Sequence, residues 1–204
     1  MKQGRMITFE GGEGSGKSTQ IRRAAAYLRK RGHRVLLLRE PGGTRVSEAI
    51  RKVVMSKRFR DMTPETELLL YLAARAQIVQ EKILPALRKG TIVICDRFED
   101  STIAYQGFAR KLSRDGILET SRRWVRGSLK PYLTFLLDLP PKEGLKRSGR
   151  RDRIETESLS FHEKVRRGFL TLARQERRRF LVLDASRKRA EVARQIRKRL
   201  ERVF

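Results

Sequence analysis

Apolar residues gather in short, near-continuous runs at Met6–Phe9, Val35–Leu38, Thr91–Cys95, Tyr132–Leu137 and Phe180–Leu183, and long amphipathic segments separate them. Runs of this kind, without strict alternation, suit strands buried on both faces, so the chain is expected to be α/β, with a five-stranded parallel sheet covered by helices above and below. The first helix should begin near Lys17 and stop near Gly32, and Pro41-Gly42-Gly43 should break the chain before a helix from about Ser47. Thr63-Pro64 supplies a cap and first helical position for a long segment through Leu87, with Pro85 expected to kink or end it and Gly90 to stop it. Arg187 to Arg202 reads as a basic terminal helix. No repeat, linker or low-complexity stretch divides the chain, so one domain spanning 1–204 is expected.

Ligands of open parallel sheets collect beyond the carboxyl ends of the strands. The polar residues there are the loop after Phe9, then Arg39-Glu40-Pro41-Gly42-Gly43-Thr44, Asp96-Arg97-Phe98, Asp138, and Asp184-Ala185-Ser186. All are expected on one rim. The first stands out: Gly11-Gly12-Glu13-Gly14-Ser15-Gly16-Lys17-Ser18 is a complete G-x-x-x-x-G-K-[ST] phosphate loop, lying between a strand and a helix start. Its glycines let the backbone turn sharply and aim N–H groups at a polyphosphate, which the helix dipole also favours. Lys17 is then positioned for the β- and γ-phosphates, and the Ser18 hydroxyl for the Mg2+ that accompanies a nucleoside triphosphate such as ATP.

Asp96-Arg97 suits transfer between two phosphorylated substrates: the acid to orient a metal-bound water or the loop lysine, the arginine to clamp a phosphate through a bidentate fork. Gly144 to Glu155 concentrates arginines around Ser148-Gly149 and reads as a mobile lid at about 144–155 that would exclude water and neutralise charge. Tyr71 and Arg75 lie four residues apart in a helix and so share a face, presenting a ring and a donor fork to one nucleobase.

Composition adds a puzzle. The formal net charge is +26, from 49 lysines and arginines against 23 aspartates and glutamates. Phosphate-binding side chains alone do not explain such an excess, which leaves nonspecific adhesion to nucleic acid open. The basic residues are spread over helix faces and not interleaved with aromatics, which favours an arginine-rich solvated surface. No apolar run approaches membrane-spanning length, and the start of the chain carries no signal-like core, so the cytoplasm is expected. The one cysteine, Cys95, ends an apolar strand and reads as a buried structural thiol.

Beyond the phosphate loop, the strings Arg39-Glu40-Pro41-Gly42-Gly43-Thr44, Asp96-Arg97-Phe98, Ser101-Thr102-Ile103-Ala104-Tyr105-Gln106-Gly107 and Asp152-Arg153-Ile154-Glu155 resemble those of the thymidylate kinases. These are P-loop nucleoside monophosphate kinases, and the likeness runs nearly end to end. It implies a three-layer P-loop kinase fold and transfer of the ATP γ-phosphate to dTMP with Mg2+. Gly11 through Thr19 would bind ATP, and Ser18 and Asp96 the metal. Glu13 would contact the sugar 3′-hydroxyl region, Arg51 and Arg97 would hold the acceptor phosphate, Tyr71 would stack on thymine, and Arg75 would bond its carbonyl edge. Ser101, Tyr105 and Gln106 would complete the pocket beside Glu40 and Pro41. Gly14 stands where one subfamily carries a loop arginine, so the chain resembles the bacterial type that supplies charge from the lid; Arg147, Arg150, Arg151 and Arg153 all stay open for that role, with Arg147 and Arg153 favoured, alongside Lys17, Arg97 and Asp96. The stretch from Arg147 to Asp152 is shorter than in many bacterial relatives, and Phe98 replaces a frequent tyrosine or histidine. A homodimer packed through the Thr63–Leu87 segment is also implied. Two alternatives stay open: a kinase for dUMP or another monophosphate, and a basic P-loop ATPase acting on nucleic acid.

Overall fold

The five apolar runs form β1 (Met6–Glu10), β2 (Val35–Arg39), β3 (Ile92–Asp96), β4 (Leu133–Asp138) and β5 (Phe180–Asp184), hydrogen-bonded in the order β2-β3-β1-β4-β5 and all parallel. The computed structural model describes residues 4–149 and 152–204. The three central strands are buried on both faces, as expected, whereas β2 is half-buried and β5 exposes Val182. Those two are the sheet edges, which helices cover on fewer sides.

Alternate side chains of β1 serve different layers. Ile7 and Phe9 pack with α1 (Lys17–Lys30) and α9 (Arg189–Glu201), while Met6 packs with Val93, Cys95 and Phe98 on the opposite face. On that opposite face lie α2 (Arg45–Val54), α3 (Pro64–Ile78), α4 (Leu84–Arg88), the short α5 (Glu99–Thr102), α6 (Arg114–Thr120) and α8 (Leu159–Gln175); α7 (Pro141–Ser148) follows β4. Cys95 is fully buried, and burial pushes its thiol well up, as befits a structural residue.

Three local expectations are corrected. Pro85 does not end the long helical run: a π-helical segment at Val79–Ile83 interrupts the α-helical register just before it and places Pro85 in the first turn of α4. The second helix starts at Arg45, two residues early, because Thr44 caps it by accepting from Ser47 N at 3.1 Å. The terminal helix starts at Arg189, since Asp184 draws Ser186 N into a turn at 3.0 Å.

Candidate active site

Register puts the strand ends level. Phe9 pairs with Asp96 across β1 and β3, and Arg39 with Asp96 across β2 and β3, so the segments that follow open onto one cleft of about 1030 Å³. Glu13, Gly14, Ser15, Gly16, Lys17, Ser18 and Thr19 line it, as do Glu40, Pro41, Arg51, Tyr71, Arg75, Asp96, Arg97, Ser101, Tyr105, Gln106 and Arg147. Gly11 and Gly12 are not in that wall, but their carbonyl oxygens accept from Lys17 Nζ at 3.0 and 2.8 Å. Burial and the Arg97 charge lower the Lys17 ammonium, while Glu13, Asp96 and Glu10 oppose the shift.

The loop after β3 is clamped from below. Arg97 has φ 71, a left-handed conformation costly for a side-chain-bearing residue. Arg97 N donates to Phe9 O at 3.0 Å and Phe98 N to Glu10 Oε1 at 2.7 Å, while Ser101 Oγ donates to Glu10 Oε2 at 2.6 Å. Burial, aided by the Asp100 carboxylate, pushes the Glu10 carboxyl up to about 8. With its backbone so turned, Arg97 reaches over the phosphate loop: Nη1 donates to Gly11 O at 3.0 Å and to Ser101 Oγ at 3.2 Å, and Nη2 to Glu13 Oε1 at 2.6 Å. Tyr105 Oη donates to the same Glu13 oxygen at 2.8 Å. Burial alone would raise the Glu13 carboxyl, but Arg97, Lys17 and the Tyr105 hydroxyl outweigh it and hold it at about 2.

Arg75 is almost fully buried, with Nε on Glu40 Oε2 at 2.6 Å, Nη1 on Thr102 Oγ1 at 2.9 Å and its guanidinium 5.0 Å from the Phe98 ring centroid. That stacking accounts for an aromatic hydrocarbon at position 98, where a polar ring would add only a hydroxyl or imidazole to bury. Tyr71 lies one helical turn before Arg75 on α3, and both face the cleft. Arg51 Nη1 bonds Pro41 O at 2.8 Å.

The arginine-rich segment departs most from expectation. Gly144 to Ser148 is the end of helix α7 and not loop, and Gly149 ends it at φ 64. Arg147 lines the cleft and donates to Ala185 O at 3.1 Å. Arg153 does not line it: Nε donates to Val54 O at 2.9 Å and Nη2 to Glu67 Oε2 at 2.6 Å, with 5% of the residue exposed. A guanidinium buried against a carboxylate is withheld from a phosphoryl group, so Arg153 is corrected from a catalytic to a structural position. Arg150 and Arg151, the other arginines of the expected lid, lie outside the described residues. Asp138 and Asp184 are also absent from the cleft wall; Arg166 grips the first at 2.7 and 2.8 Å, and the second caps its own turn.

Sequence reasoning missed Glu67, fully buried on α3, where it accepts from Gln106 Nε2 at 2.8 Å, Arg110 Nη2 at 3.0 Å and Arg153. Its spacing, four residues before Tyr71 and eight before Arg75, is the signal that would have placed it on the same face. It also missed the far end of the cleft, formed by Arg22, Arg187, Lys188, Arg189 and Val192.

Comparison with known proteins follows this geometry. The sequence profile of the family described as thymidylate kinase matches residues 9–196. A thymidylate kinase of Geobacter sulfurreducens is 50% identical over 192 residues, covering 90% of each chain. One from Deinococcus radiodurans is 49% identical over 199 residues, covering 96% of each. The crystal structure of thymidylate kinase from Ehrlichia chaffeensis superposes with a TM-score of 0.79 at 31% identity, covering 97% of this chain and 99% of that one.

Proposed function

The chain belongs to the thymidylate kinase family, and from that premise we propose that it transfers the γ-phosphate of ATP to dTMP, giving dTDP and ADP for dTTP supply. The observation that carries this reading is a shared atom: Gly11 O accepts from Lys17 Nζ on one side and from Arg97 Nη1 on the other, each at 3.0 Å. A donor phosphate drawn to Lys17 and an acceptor phosphate drawn to Arg97 therefore meet across one carbonyl. No protein nucleophile is needed, because position and positive charge lower the barrier to direct transfer.

In this proposal Gly14 through Thr19 cradle the triphosphate, and the Arg187–Arg189 end of the cleft receives the nucleoside of ATP. Arg51 and Arg97 take the acceptor phosphate, and Glu13, held ionised, accepts from the sugar 3′-hydroxyl. Tyr71 stacks on thymine, Arg75 donates to its carbonyl edge, and Ser101, Tyr105, Gln106, Glu40 and Pro41 shape the rest. Arg147 supplies the charge at the transferred group.

Magnesium fits the chemistry of the donor set. Asp96 Oδ1 is buried with no hydrogen-bond partner among the described residues, and the Ser18 hydroxyl is exposed in the first turn of α1. A cation that keeps its waters and takes one or two protein oxygens together with phosphates needs no cage of side chains, and the described residues contain no cluster of three or more His, Cys, Asp or Glu. Ser18 and Asp96 would hold it, and when bound it neutralises charge on the phosphates.

We also infer a cytoplasmic homodimer. Among the described residues no helix is long and apolar enough to cross a membrane. Leu69 on α3, with Val46 and Val53 on the adjacent α2, forms an exposed apolar set suited to helix–helix packing between copies. Sedimentation of wild type against Leu69→Lys tests the dimer.

A coupled ADP-release assay across dTMP, dUMP and other monophosphates, with a DNA arm, tests the activity. ADP release stimulated by dTMP above all others supports it. Equal rates with dUMP would move the reading to a broader pyrimidine kinase, and stimulation by DNA without any monophosphate would replace it with a nucleic-acid-dependent ATPase.

A further inference from the structure

The phosphate loop and α7 meet through glycines. A Cβ at Gly14 would fall deep inside the van der Waals shell of Gly144 O, with Gly144 Cα 3.0 Å away, and a Cβ at Gly144 would do the same to Glu13 O. The approach is backbone against backbone, so no flexible side chain can yield. Gly14 also has φ 63, which disfavours any other residue there. Glycine in mid-helix is a poor helix former, and its presence at position 144 of α7 marks a close approach.

The rest of α7 is fixed to match. Pro140 and Pro141 set its entry, and buried Leu139 anchors the strand end before it. At its other end Ser148 Oγ bonds Glu155 Oε1 at 2.6 Å. Arg147 lies three residues beyond Gly144, on the same face of the helix, and lines the same cleft as the phosphate loop, its guanidinium held by Ala185 O and Glu143.

We propose that Gly14 and Gly144 form a seat that sets the height of α7 above the phosphate loop and so positions Arg147 for the transferred phosphate. This rests on the phosphoryl transfer proposed above. Gly14 and Gly144 are positioning residues, and Arg147 is the group that touches substrate. The seat also explains the bare loop position: a side chain at 14 and a helix resting on 144 exclude each other sterically. A cation for the transferred phosphate therefore has to come from α7 and not from the loop.

Steady-state kinetics of wild type, Gly144→Ala, Arg147→Ala and the double variant test this, each checked for melting temperature and dTMP-binding stoichiometry. A methyl at 144 must lift α7 by about 1 Å, enough for a loss of kcat on the order of tenfold to a hundredfold. The dTMP KM should hold. The decisive comparison is the background: Gly144→Ala should cost less than about twofold once Arg147 is already alanine, because both changes remove the same interaction. A merely structural glycine would lower kcat by the same factor in both backgrounds, and that result would overturn the proposal. So would an unchanged kcat in either single variant. If Gly144→Ala fails to fold, Gly14→Ala opens the seat from the other side and is read by the same criterion. A wild type that releases no ADP with dTMP refutes the parent reading before any variant is compared.

Discussion

Truncating Glu67 to alanine should unfold the acceptor wall long before it touches any substrate. The Glu67 carboxylate is fully buried and accepts from Gln106 Nε2, from Arg110 Nε and Nη2 at 3.2 and 3.0 Å, and from Arg153 Nη2 at 2.6 Å. Burial by itself would raise this carboxyl, yet the donors prevail and lower it, so the group is an ion in place. After truncation Arg110 keeps Glu157 at 2.6 Å and some solvent, whereas among the described residues the Arg153 side chain keeps only the Val54 carbonyl. The penalty therefore falls chiefly on the buried Arg153 guanidinium, with the buried Gln106 amide also losing its acceptor. Breaking a buried pair from one side costs about 3–5 kcal/mol, and in a domain of this size each kcal/mol moves the melting temperature by about 2–4 °C. Together these give a fall of about 6–20 °C in Glu67→Ala, measured by circular dichroism without nucleotide. Arg153→Met should fall comparably, and Glu67→Leu combined with Arg153→Met should recover much of the loss, because no buried charge is then left unpaired and only the neutral Gln106 amide and the partly solvated Arg110 lose an acceptor. A drop below about 3 °C in Glu67→Ala, or a double variant as unstable as the two singles summed, would refute the reasoning. The same experiment separates the two arginines, since Arg153→Met should lose stability ahead of turnover and Arg147→Ala turnover ahead of stability.

Lys17→Ala should lower kcat by about a hundredfold to a thousandfold, the loss typical of one preorganised charge, with little change in melting; most of the rate surviving would remove Lys17 from the phosphate site. Tyr71→Ala should weaken dTMP binding by about 1–3 kcal/mol, the worth of one base–aromatic stack, while ATP affinity in calorimetry stays near wild type; equal losses would deny it a stacking role. Glu10 is held at about 8 against an ordinary value of 4.5, so the folded state binds its proton more tightly than the unfolded chain does. Its contribution to stability is full below the ordinary value and is lost as pH rises through 8. Thermal melts across that window should thus decline less steeply for Glu10→Gln than for wild type, and parallel curves would contradict the protonated assignment.

Much of this was readable because its causes are local. A strand, a glycine loop and a helix start must be contiguous to make a phosphate cradle, so Gly11–Ser18 announces itself, and each strand begins and ends within a residue of its apolar run. Helix starts were less legible where a single side chain decides them, as Thr44 and Asp184 do. The π-helical register before Pro85 has no counterpart in a 3.6-residue pattern, which is why the proline looked like a break.

The charged residues show where such reading stops. Forty-nine cations in one chain make any arginine-rich stretch look like machinery, and only distance sorts them: Arg153 closes on Glu67 across 86 residues of sequence and Arg97 on Glu13 across 84. Both pairs are short and largely buried, yet one braces the wall and the other faces the cleft, a difference set by which side of α3 and the phosphate loop each partner occupies. A basic surplus therefore carries two kinds of arginine that composition cannot tell apart. Access to the cleft separates these two: Glu67 is sealed in and neither it nor Arg153 reaches the cleft wall, while Glu13 and Arg97 both line it, as does the buried Arg75–Glu40 pair.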